Sequence, residues 1–170
     1  LETNSKISRS IEEDTSIDKK LTVIYSKNEN LSQILKNDEK KINHTNHFTK
    51  LYNYLIGQLN NLNGLLFFIS LSDISFEVII FNNNKFVFFN SFDISDENEF
   101  LYYTFFLLKN YHGSTNSDKI IFLGKYERYN KFYDLVSKYS KIDFIEDNIN
   151  SLASHESRSF SILNENNIRK

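Results

Sequence analysis

The stretch "LLFFISLSDISFEVIIFNNNKFVFFNSF", residues 65–92, decides the fold of this chain. It contains three apolar segments of strand length, at 65–71, 76–81 and 85–92. The turn "SDIS" and three consecutive asparagines separate them, and Asn tolerates the left-handed backbone that tight hairpin turns require. The first segment is apolar at almost every position, as is typical of a central strand that is buried on both faces. We therefore expect three antiparallel strands joined by two hairpins.

Two helix–strand pairs follow these strands. The segment "FLYYTFFLLKN" (100–110) predicts a helix that Asp96 caps and that Gly113 ends, and "KIIFL" (119–123) predicts a fourth strand. Tyr and Phe at helical spacing then predict a second helix before a fifth strand at 141–146. The order βββ-α-β-α-β describes a mixed sheet flanked by helices, the ribonuclease H-like layer of the actin-like ATPase fold. We therefore expect an α/β chain that contains one such lobe.

The sequence divides into three expected parts. Residues 1–43 are mostly polar and predict a poorly structured lead-in or a remnant of a first lobe. Residues 44–146 are the ribonuclease H-like lobe, which begins with an amphipathic helix between His44 and Leu62. Residues 147–170 are rich in Ser and Asn and predict a C-terminal tail with a short packed segment.

The run "KFVFFNSFDISDENEFLYYTFFLL" (85–108) resembles an uncharacterised bacterial family, a domain of unknown function grouped with the actin-like ATPases. In that family a strand ending in Asn-Ser-Phe, here residues 90–92, leads into an acidic Phe-Leu-Tyr-Tyr helix, here residues 100–103. The family's chains are longer and contain two lobes. The resemblance implies that this chain holds the second lobe and part of the first, and it implies a fold without a known biochemistry.

Actin-like ATPases hold nucleotide between two lobes, so the resemblance also implies a position for such a site. In their second lobe, an Asp-x-Gly-Gly turn follows the first strand: the Asp organises metal and water, and the glycines let backbone N–H groups approach the phosphates. Here Ser70 stands at the Asp position, Ser72 at the first glycine and Asp73 in a phosphate-facing glycine slot. A carboxylate repels phosphate oxygens. These residues are either a repurposed phosphate loop or an ordinary polar hairpin turn.

The adenine end of the implied site also departs from the usual pattern. A Gly-Gly pair normally follows the fourth strand, and here the residues are Gly124 and Lys125, followed by the bulky Tyr126. We expect Gly124 to have a left-handed backbone or close packing at the strand end. Ser70, Ser72, Asp73, Gly124 and Lys125 therefore form a candidate but degenerate nucleotide site. We expect no catalytic residue, no cofactor and no ATP hydrolysis.

Other chemistries have less support. His44 and His47 are close in sequence, but zinc normally requires at least three protein ligands, so we expect no metal site. A ribonuclease H-like nuclease needs a carboxylate in its first strand, and residues 65–71 contain none. The segment 125–141 interleaves basic and aromatic residues in a way that suits single-stranded RNA, although its Tyr and Phe also have the spacing of a helix core face. The net charge of −2 provides no broad basic surface, so we do not expect nucleic acid as the partner.

The helix at 100–110 is apolar on more than one side. On a helical wheel with a step of about 100° per residue, Phe100, Leu101, Phe105, Leu107, Leu108 and Tyr111 share a broad face that should cover the sheet. Tyr102 and Phe106 fall together on the opposite side, among charged and amide residues. We expect this pair to contact the first lobe, a second copy of the chain or a separate protein, unless the segment "FSIL" (160–163) covers it.

Composition completes the functional expectation. The chain is 40 % apolar and 25 % charged, as globular proteins are. No apolar run approaches the roughly 20 residues that span a bilayer, so we expect no membrane insertion. We expect a cytoplasmic, non-catalytic actin-like scaffold or protein-interaction module. The alternatives are a nucleotide-responsive module that binds ATP and an RNA-binding module that uses residues 125–141.

Overall fold

The computed structural model describes residues 9–28, 45–59, 62–113 and 118–145 of the chain. The chain divides into two compact units, Leu1–Asn60 and Asn61–Lys170. The described part of the first unit is a hairpin and a helix, and that of the second is a mixed sheet with helices. The tail expected at 147–170 and the segment 160–163 lie outside the described residues.

The first unit contains two antiparallel strands and helix α1. Strands β1 (Arg9–Thr15) and β2 (Thr22–Asn28) pair with each other, and α1 extends over His47–Gln58. The exposed face of the hairpin carries Ile11 and Ile24, which are 82 % and 70 % exposed. The poorly structured lead-in that we expected at 1–43 is therefore wrong for the residues of this hairpin, and a remnant of a first lobe stays a prediction.

Polar contacts organise the other face of this hairpin. The Lys27 ammonium lies 2.9 Å from the Glu12 carboxylate across the strand pair. The Tyr25 hydroxyl donates to the carboxylates of Glu12 and Asp14, at 3.4 and 3.3 Å. Burial raises the pKa of Tyr25, and the two neighbouring carboxylates raise it further. This hairpin is thus held together by hydrogen bonds and charge more than by apolar burial.

The turn between β1 and β2 contacts helix α1. The Asp18 carboxylate accepts hydrogen bonds from the Ser16 hydroxyl and the Lys20 N–H in the turn, and from the Tyr52 hydroxyl of α1 at 3.2 Å. Burial raises the pKa of Asp18, but these hydrogen bonds outweigh it, so the pKa lies below its ordinary value. The Ile17 N–H adds a bond of 2.9 Å to the side-chain oxygen of Asn53. The turn and α1 therefore form one packed group.

The second unit contains a five-stranded sheet in the order β5-β4-β3-β6-β7. Strands β3, β4 and β5 are antiparallel neighbours, β6 runs parallel to β3, and β7 runs parallel to β6. Helix α2 connects β5 to β6, and helix α3 connects β6 to β7. The bounds are β3 Leu65–Leu71, β4 Ser75–Asn82, β5 Lys85–Asp93, α2 Glu97–Asn110, β6 Lys119–Leu123, a 3₁₀ helix Glu127–Tyr129, α3 Asn130–Ser137 and β7 Ile142–Ile145. The expected α/β class and the order βββ-α-β-α-β are confirmed.

Strand β3 lies at the centre of this sheet and is buried along its whole length. Successive side chains of a strand point to opposite faces. The residues of β3 that pack with α2 and α3 are Leu65, Phe67, Ile69 and Leu71. From the helices, Phe100, Leu107, Tyr133 and Val136 fill the same core. Burial on both faces explains why polar and apolar residues do not alternate along this strand.

Helix α2 begins with the expected cap. The Asp96 carboxylate accepts hydrogen bonds from the N–H groups of Asn98 and Glu99, both at 2.8 Å. The Glu99 carboxylate reaches back to the N–H and hydroxyl of Ser95, at 2.9 and 2.7 Å, one residue before the position that a capping box uses. These bonds satisfy donors at the start of the helix that have no intrahelical partner.

Helix α2 ends at Asn110, shortly before Gly113, the residue that the sequence predicted as its stop. His112 adopts the left-handed conformation, with φ 56°, and the Gly113 N–H donates to the Leu108 carbonyl at 2.8 Å. A Cβ on Gly113 would lie 2.6 Å from Leu108 Cδ1 and 2.9 Å from Leu65 Cδ2. Gly113 is therefore required by packing, and His112 carries the backbone strain.

Strand β5 forms one edge of the sheet as far as the structure describes it. Its pairing with β4 contains a bulge, because Ile80 pairs with Phe88 whereas Phe81 pairs with Phe86, which leaves Val87 as the extra residue. The ladder is regular from Phe88 to Asp93. The hairpin turn before β5 uses Asn83 and Asn84 in the left-handed region, with φ 47° and 63°, as the asparagine run predicted.

Candidate functional site

The carboxyl end of β3 carries the first three candidate residues. Ser70 lies within the strand, is 8 % exposed and pairs with Glu77 of β4. The Ser72 hydroxyl lies 3.0 Å from the Ser75 carbonyl and 2.7 Å from the Ser75 hydroxyl, and the Ser72 N–H donates to the same carbonyl at 2.9 Å. Ser72 therefore closes the hairpin turn between β3 and β4.

The Asp73 carboxylate joins this turn to the segment after β6. It lies 3.2 Å from the Arg128 guanidinium, and it accepts a hydrogen bond of 3.1 Å from the Tyr129 hydroxyl. The guanidinium also lies 4.6 Å from the centroid of the Tyr129 ring. We call this group of three side chains, Asp73, Arg128 and Tyr129, the clasp. It connects the carboxyl ends of two adjacent parallel strands.

Tyr129 is the most buried side chain of the clasp. Tyr129 is 3 % exposed, and burial raises its pKa to about 12; the neighbouring Arg128 opposes this shift and the Asp73 carboxylate adds to it. The phenol is therefore neutral at ordinary pH and acts as a hydrogen-bond donor to Asp73. The clasp thus holds one carboxylate between one cation and one neutral donor.

Gly124 ends β6 in the left-handed region, with φ 79°, as the sequence predicted. Its N–H donates to the Ile145 carbonyl at 2.8 Å. A Cβ on Gly124 would overlap Cε2 and Cζ of the Tyr126 ring and would lie 2.7 Å from the Tyr126 hydroxyl oxygen. The buried Tyr133 hydroxyl donates to the Gly124 carbonyl at 3.4 Å and accepts from the Tyr126 N–H at 3.3 Å, and burial raises its pKa. Gly124 is therefore required for backbone conformation and for close packing.

Lys125 is exposed, and its ammonium lies 5.2 Å from the centroid of the Phe144 ring of β7. Lys125 therefore contacts strand β7, whereas Asp73 contacts Arg128 and Tyr129 in the segment after β6. The candidate residues thus belong to two groups: the clasp with its hairpin turn, and the Gly124–Lys125 turn with its tyrosines. Sequence reasoning did not connect Arg128 and Tyr129 with Asp73; it assigned both to a basic and aromatic segment and placed Tyr129 on the core face of a helix.

The segment 125–141 presents few aromatic faces for stacking with bases. Tyr129 and Tyr133 are 3 % and 4 % exposed and pack in the core, and Phe132 is half-buried. Tyr139 is 58 % exposed, but its ring contacts Phe105 of α2 at a centroid distance of 5.7 Å. The helical spacing in this segment therefore corresponds to a core face.

The described residues offer little for metal binding. In the ranges that the structure describes, no group of three or more His, Asp or Glu side chains is arranged to hold a metal ion. His47 is the first residue of α1, and His44 lies outside the described residues. No described helix is long and apolar enough to cross a membrane.

Tyr102 and Phe106 form an exposed aromatic pair on α2, 63 % and 48 % exposed. Their rings stack at a centroid distance of 6.0 Å and an interplanar angle of 21°. The Tyr102 ring also contacts Tyr103 at 5.5 Å, and Tyr103 stacks on Phe92 of β5 at 4.8 Å. Aromatic contacts are thus continuous from the edge strand to this pair. The role of the pair as a partner contact stays a prediction.

Comparison with solved structures identifies the fold. The chain is similar to a crystal structure from Bacteroides thetaiotaomicron, described as a protein with actin-like ATPase fold and unknown function, with a TM-score of 0.70 and 12 % sequence identity. The match covers 81 % of this chain and 54 % of that one, so this chain spans about half of its structural neighbour. The likeness shows an actin-like ATPase fold.

Comparison with protein families adds a more particular assignment. Residues 1–142 match the family described as "Protein of unknown function (DUF3822)", and the chain belongs to this family. This confirms the resemblance to an uncharacterised family grouped with the actin-like fold. A comparison with curated proteins found no match.

Proposed function

We propose that this chain acts as a non-catalytic actin-like scaffold or protein-interaction module in the cytoplasm. The observation that carries the proposal is the clasp. Asp73 stands where an actin-like ATPase has a phosphate-facing glycine, and its carboxylate is paired with Arg128 and Tyr129. A bound triphosphate would face this carboxylate and would have to compete with it for the guanidinium.

The clasp also connects two segments that a nucleotide connects in the actin-like fold. There, the phosphates occupy the turn after the first strand, and the base lies near the loop after the fourth, so the ligand bridges the two. In this chain the ion pair of 3.2 Å bridges those segments directly. Side chains of the chain itself therefore connect the carboxyl ends of β3 and β6, which suits a scaffold.

Thermal unfolding of the 170-residue chain with and without Mg-ATP tests this proposal. A ligand at 100 times its dissociation constant stabilises a protein by about 2.7 kcal/mol, which is easily measured. We expect no shift and no metal-dependent ATP turnover. Turnover that disappears in Asp73→Ala would contradict the non-catalytic proposal.

Parallel titrations distinguish the alternatives. A shift with Mg-ATP but without turnover would favour the nucleotide-responsive module. A shift with single-stranded RNA that Lys131→Glu abolishes would favour RNA binding, because Lys131 is exposed in α3. Fractionation of cells that express a tagged chain tests the cytoplasmic location.

A further inference from the structure

We propose that this chain forms a two-fold symmetric dimer in which the exposed face of α2 packs antiparallel against the same face of a second copy. The inference rests on the proposed interaction function and names its partner. It follows from the spacing of four residues on α2, from the exposure of two of them and from the charges of the other two.

The exposed face of α2 carries four residues at coiled-coil spacing. These residues are Glu99, Tyr102, Phe106 and Lys109, and the steps between them are three, four and three residues. On a helical wheel they fall in one stripe, opposite the buried face of the helix. Residues with this alternating spacing form the contact line between two packed helices. We call these four residues the seam.

The centre of the seam is aromatic and exposed. The rings of Tyr102 and Phe106 stack on each other, and both side chains lie open to solvent. The neighbouring rings of Tyr103 and Phe105 are half-buried and contact β5 and the residues after α3. Because the stacked pair is already ordered, covering it costs little side-chain entropy. Aromatic side chains of this kind are the usual anchors of protein interfaces.

The ends of the seam carry opposite charges. Glu99 lies in the first turn of α2, and the exposed Lys109 lies in the last turn. Hydrogen bonds from the hydroxyl and N–H of Ser95 lower the pKa of Glu99, so its side chain is a carboxylate at neutral pH. A carboxylate has about four acceptor positions, so Glu99 can cap α2 and also face a cation.

These charges specify the partner and its orientation. Residues 102 and 106, and residues 99 and 109, are each centred on position 104 of α2. An antiparallel pair of α2 helices with its two-fold axis at this level therefore places Tyr102 against Phe106 of the other copy and Glu99 against Lys109. Parallel packing would place like charges together and align the helix dipoles, which is unfavourable. The seam is thus complementary to itself, as the interface of an isologous dimer must be.

Sedimentation and light scattering of the 170-residue chain over a range of concentrations test the dimer. Lys109→Glu brings two carboxylates together at each end of the seam, and Glu99→Lys brings two ammonium groups together. We expect each variant to weaken dimerisation by about tenfold. An equimolar mixture of the two should form a heterodimer, because each end of the seam then pairs an acid with a base.

Introduced thiols test the orientation, since the chain contains no cysteine. A mixture of the Glu99→Cys and Lys109→Cys variants should form a mixed disulfide on mild oxidation, because the two positions face each other in the antiparallel dimer. Lys109→Cys alone should cross-link poorly, since its two copies lie at opposite ends of the seam. Efficient cross-linking of Lys109→Cys with itself would overturn the antiparallel arrangement.

Phe106→Ser provides a measurement that does not disturb the cap of α2. It should weaken dimerisation by more than about tenfold and retain the wild-type circular dichroism spectrum. Two matched controls should leave dimerisation unchanged: Lys85→Glu at the exposed start of β5, and Ile74→Ser at an exposed apolar position between β3 and β4.

A monomeric wild type, or a dimer that neither Lys109→Glu nor Phe106→Ser weakens, would overturn the inference. A monomer without ATP turnover would leave the non-catalytic proposal standing. ATP turnover by an intact dimer would overturn only that proposal.

Discussion

The Asp73 carboxylate lies 3.2 Å from the Arg128 guanidinium, and this ion pair joins two turns that are separated by more than fifty residues of sequence. Both turns lie at the carboxyl end of the sheet because β3 and β6 are adjacent and parallel. Ligands of open α/β sheets bind at this end. The molecule therefore places an internal contact where such folds usually place a ligand.

We expect Asp73→Ala to lower the free energy of unfolding by about 1 kcal/mol, because it removes a partly exposed ion pair and the hydrogen bond from Tyr129. A double-mutant cycle with Arg128→Ala isolates the ion pair. The two side chains are 61 % and 36 % exposed, so a coupling energy of about 0.5 kcal/mol is expected in urea unfolding. Strictly additive effects would show that the contact does not stabilise the fold.

Two glycine substitutions should have opposite effects. We expect Gly124→Ala to lower the free energy of unfolding by more than about 1 kcal/mol, because a Cβ there overlaps the Tyr126 ring at a left-handed φ. Gly57→Ala is the control, since a Cβ at that position in α1 meets no atom within 4 Å. It should raise stability by up to about 1 kcal/mol through helix propensity. Chemical denaturation of both variants measures this contrast. A Gly124→Ala variant with the same free energy of unfolding as the wild type would contradict the prediction.

We expect His112→Gly to raise the free energy of unfolding by about 1 kcal/mol. His112 ends helix α2 with φ 56°, a conformation that is unfavourable for residues with a Cβ and easily adopted by glycine. Gly113→Ala should be strongly destabilising instead, because its Cβ would meet Leu108 and Leu65. Thermal unfolding of the two variants separates backbone strain from packing. A loss of stability in His112→Gly would assign the imidazole a stabilising contact.

Stability should fall as pH rises from about 10 to about 12. Burial raises the pKa of Tyr129 to about 12, whereas tyrosine in an unfolded chain has a pKa of about 10. The unfolded chain therefore releases the phenolic proton first, and the stabilisation, complete below pH 10, disappears as pH passes through the folded-state pKa. Tyr52, whose pKa burial also raises to about 12, contributes in the same direction.

Denaturant unfolding at several alkaline pH values measures this slope. Tyr129→Phe should make the slope shallower, because one raised pKa is removed. Asp73→Ala should make the loss smaller and complete it at lower pH, because its carboxylate contributes to the raised pKa of Tyr129. An unchanged slope in Tyr129→Phe would contradict the assignment.

Local patterns were sufficient to predict most of the sheet. The strands at 65–71 and 119–123 have the predicted bounds, because burial on both faces leaves an uninterrupted apolar run. The exposure of Tyr102 and Phe106 followed from helical periodicity alone. The helix in the structure is shorter than the one predicted between His44 and Leu62: within the described residues, α1 extends over His47–Gln58.

Other features had no local signal. Strand β1 was missed because its half-buried face carries Glu12 and Asp14 while Ile11 is exposed, the reverse of the usual apolar pattern. The clasp was missed because it depends on the parallel pairing of β3 and β6, which brings Arg128 to Asp73 from a distant segment. The sequence did identify Asp73, through the family resemblance, but as a carboxylate that would repel phosphate oxygens. Its partner required the three-dimensional structure.

The parallel pairing of β3 with β6 also has a consequence for folding. Strands β3, β4 and β5 are joined by short hairpins, so each of their ladders closes a small loop. Leu66 of β3 pairs with Lys119 of β6, and this contact must close a loop of about 50 residues, which costs more chain entropy. The hairpins are therefore expected to form before β6 docks. Until then the central strand has one open side, so the interval between these two steps is when a nascent chain is most prone to pairing with the wrong strand.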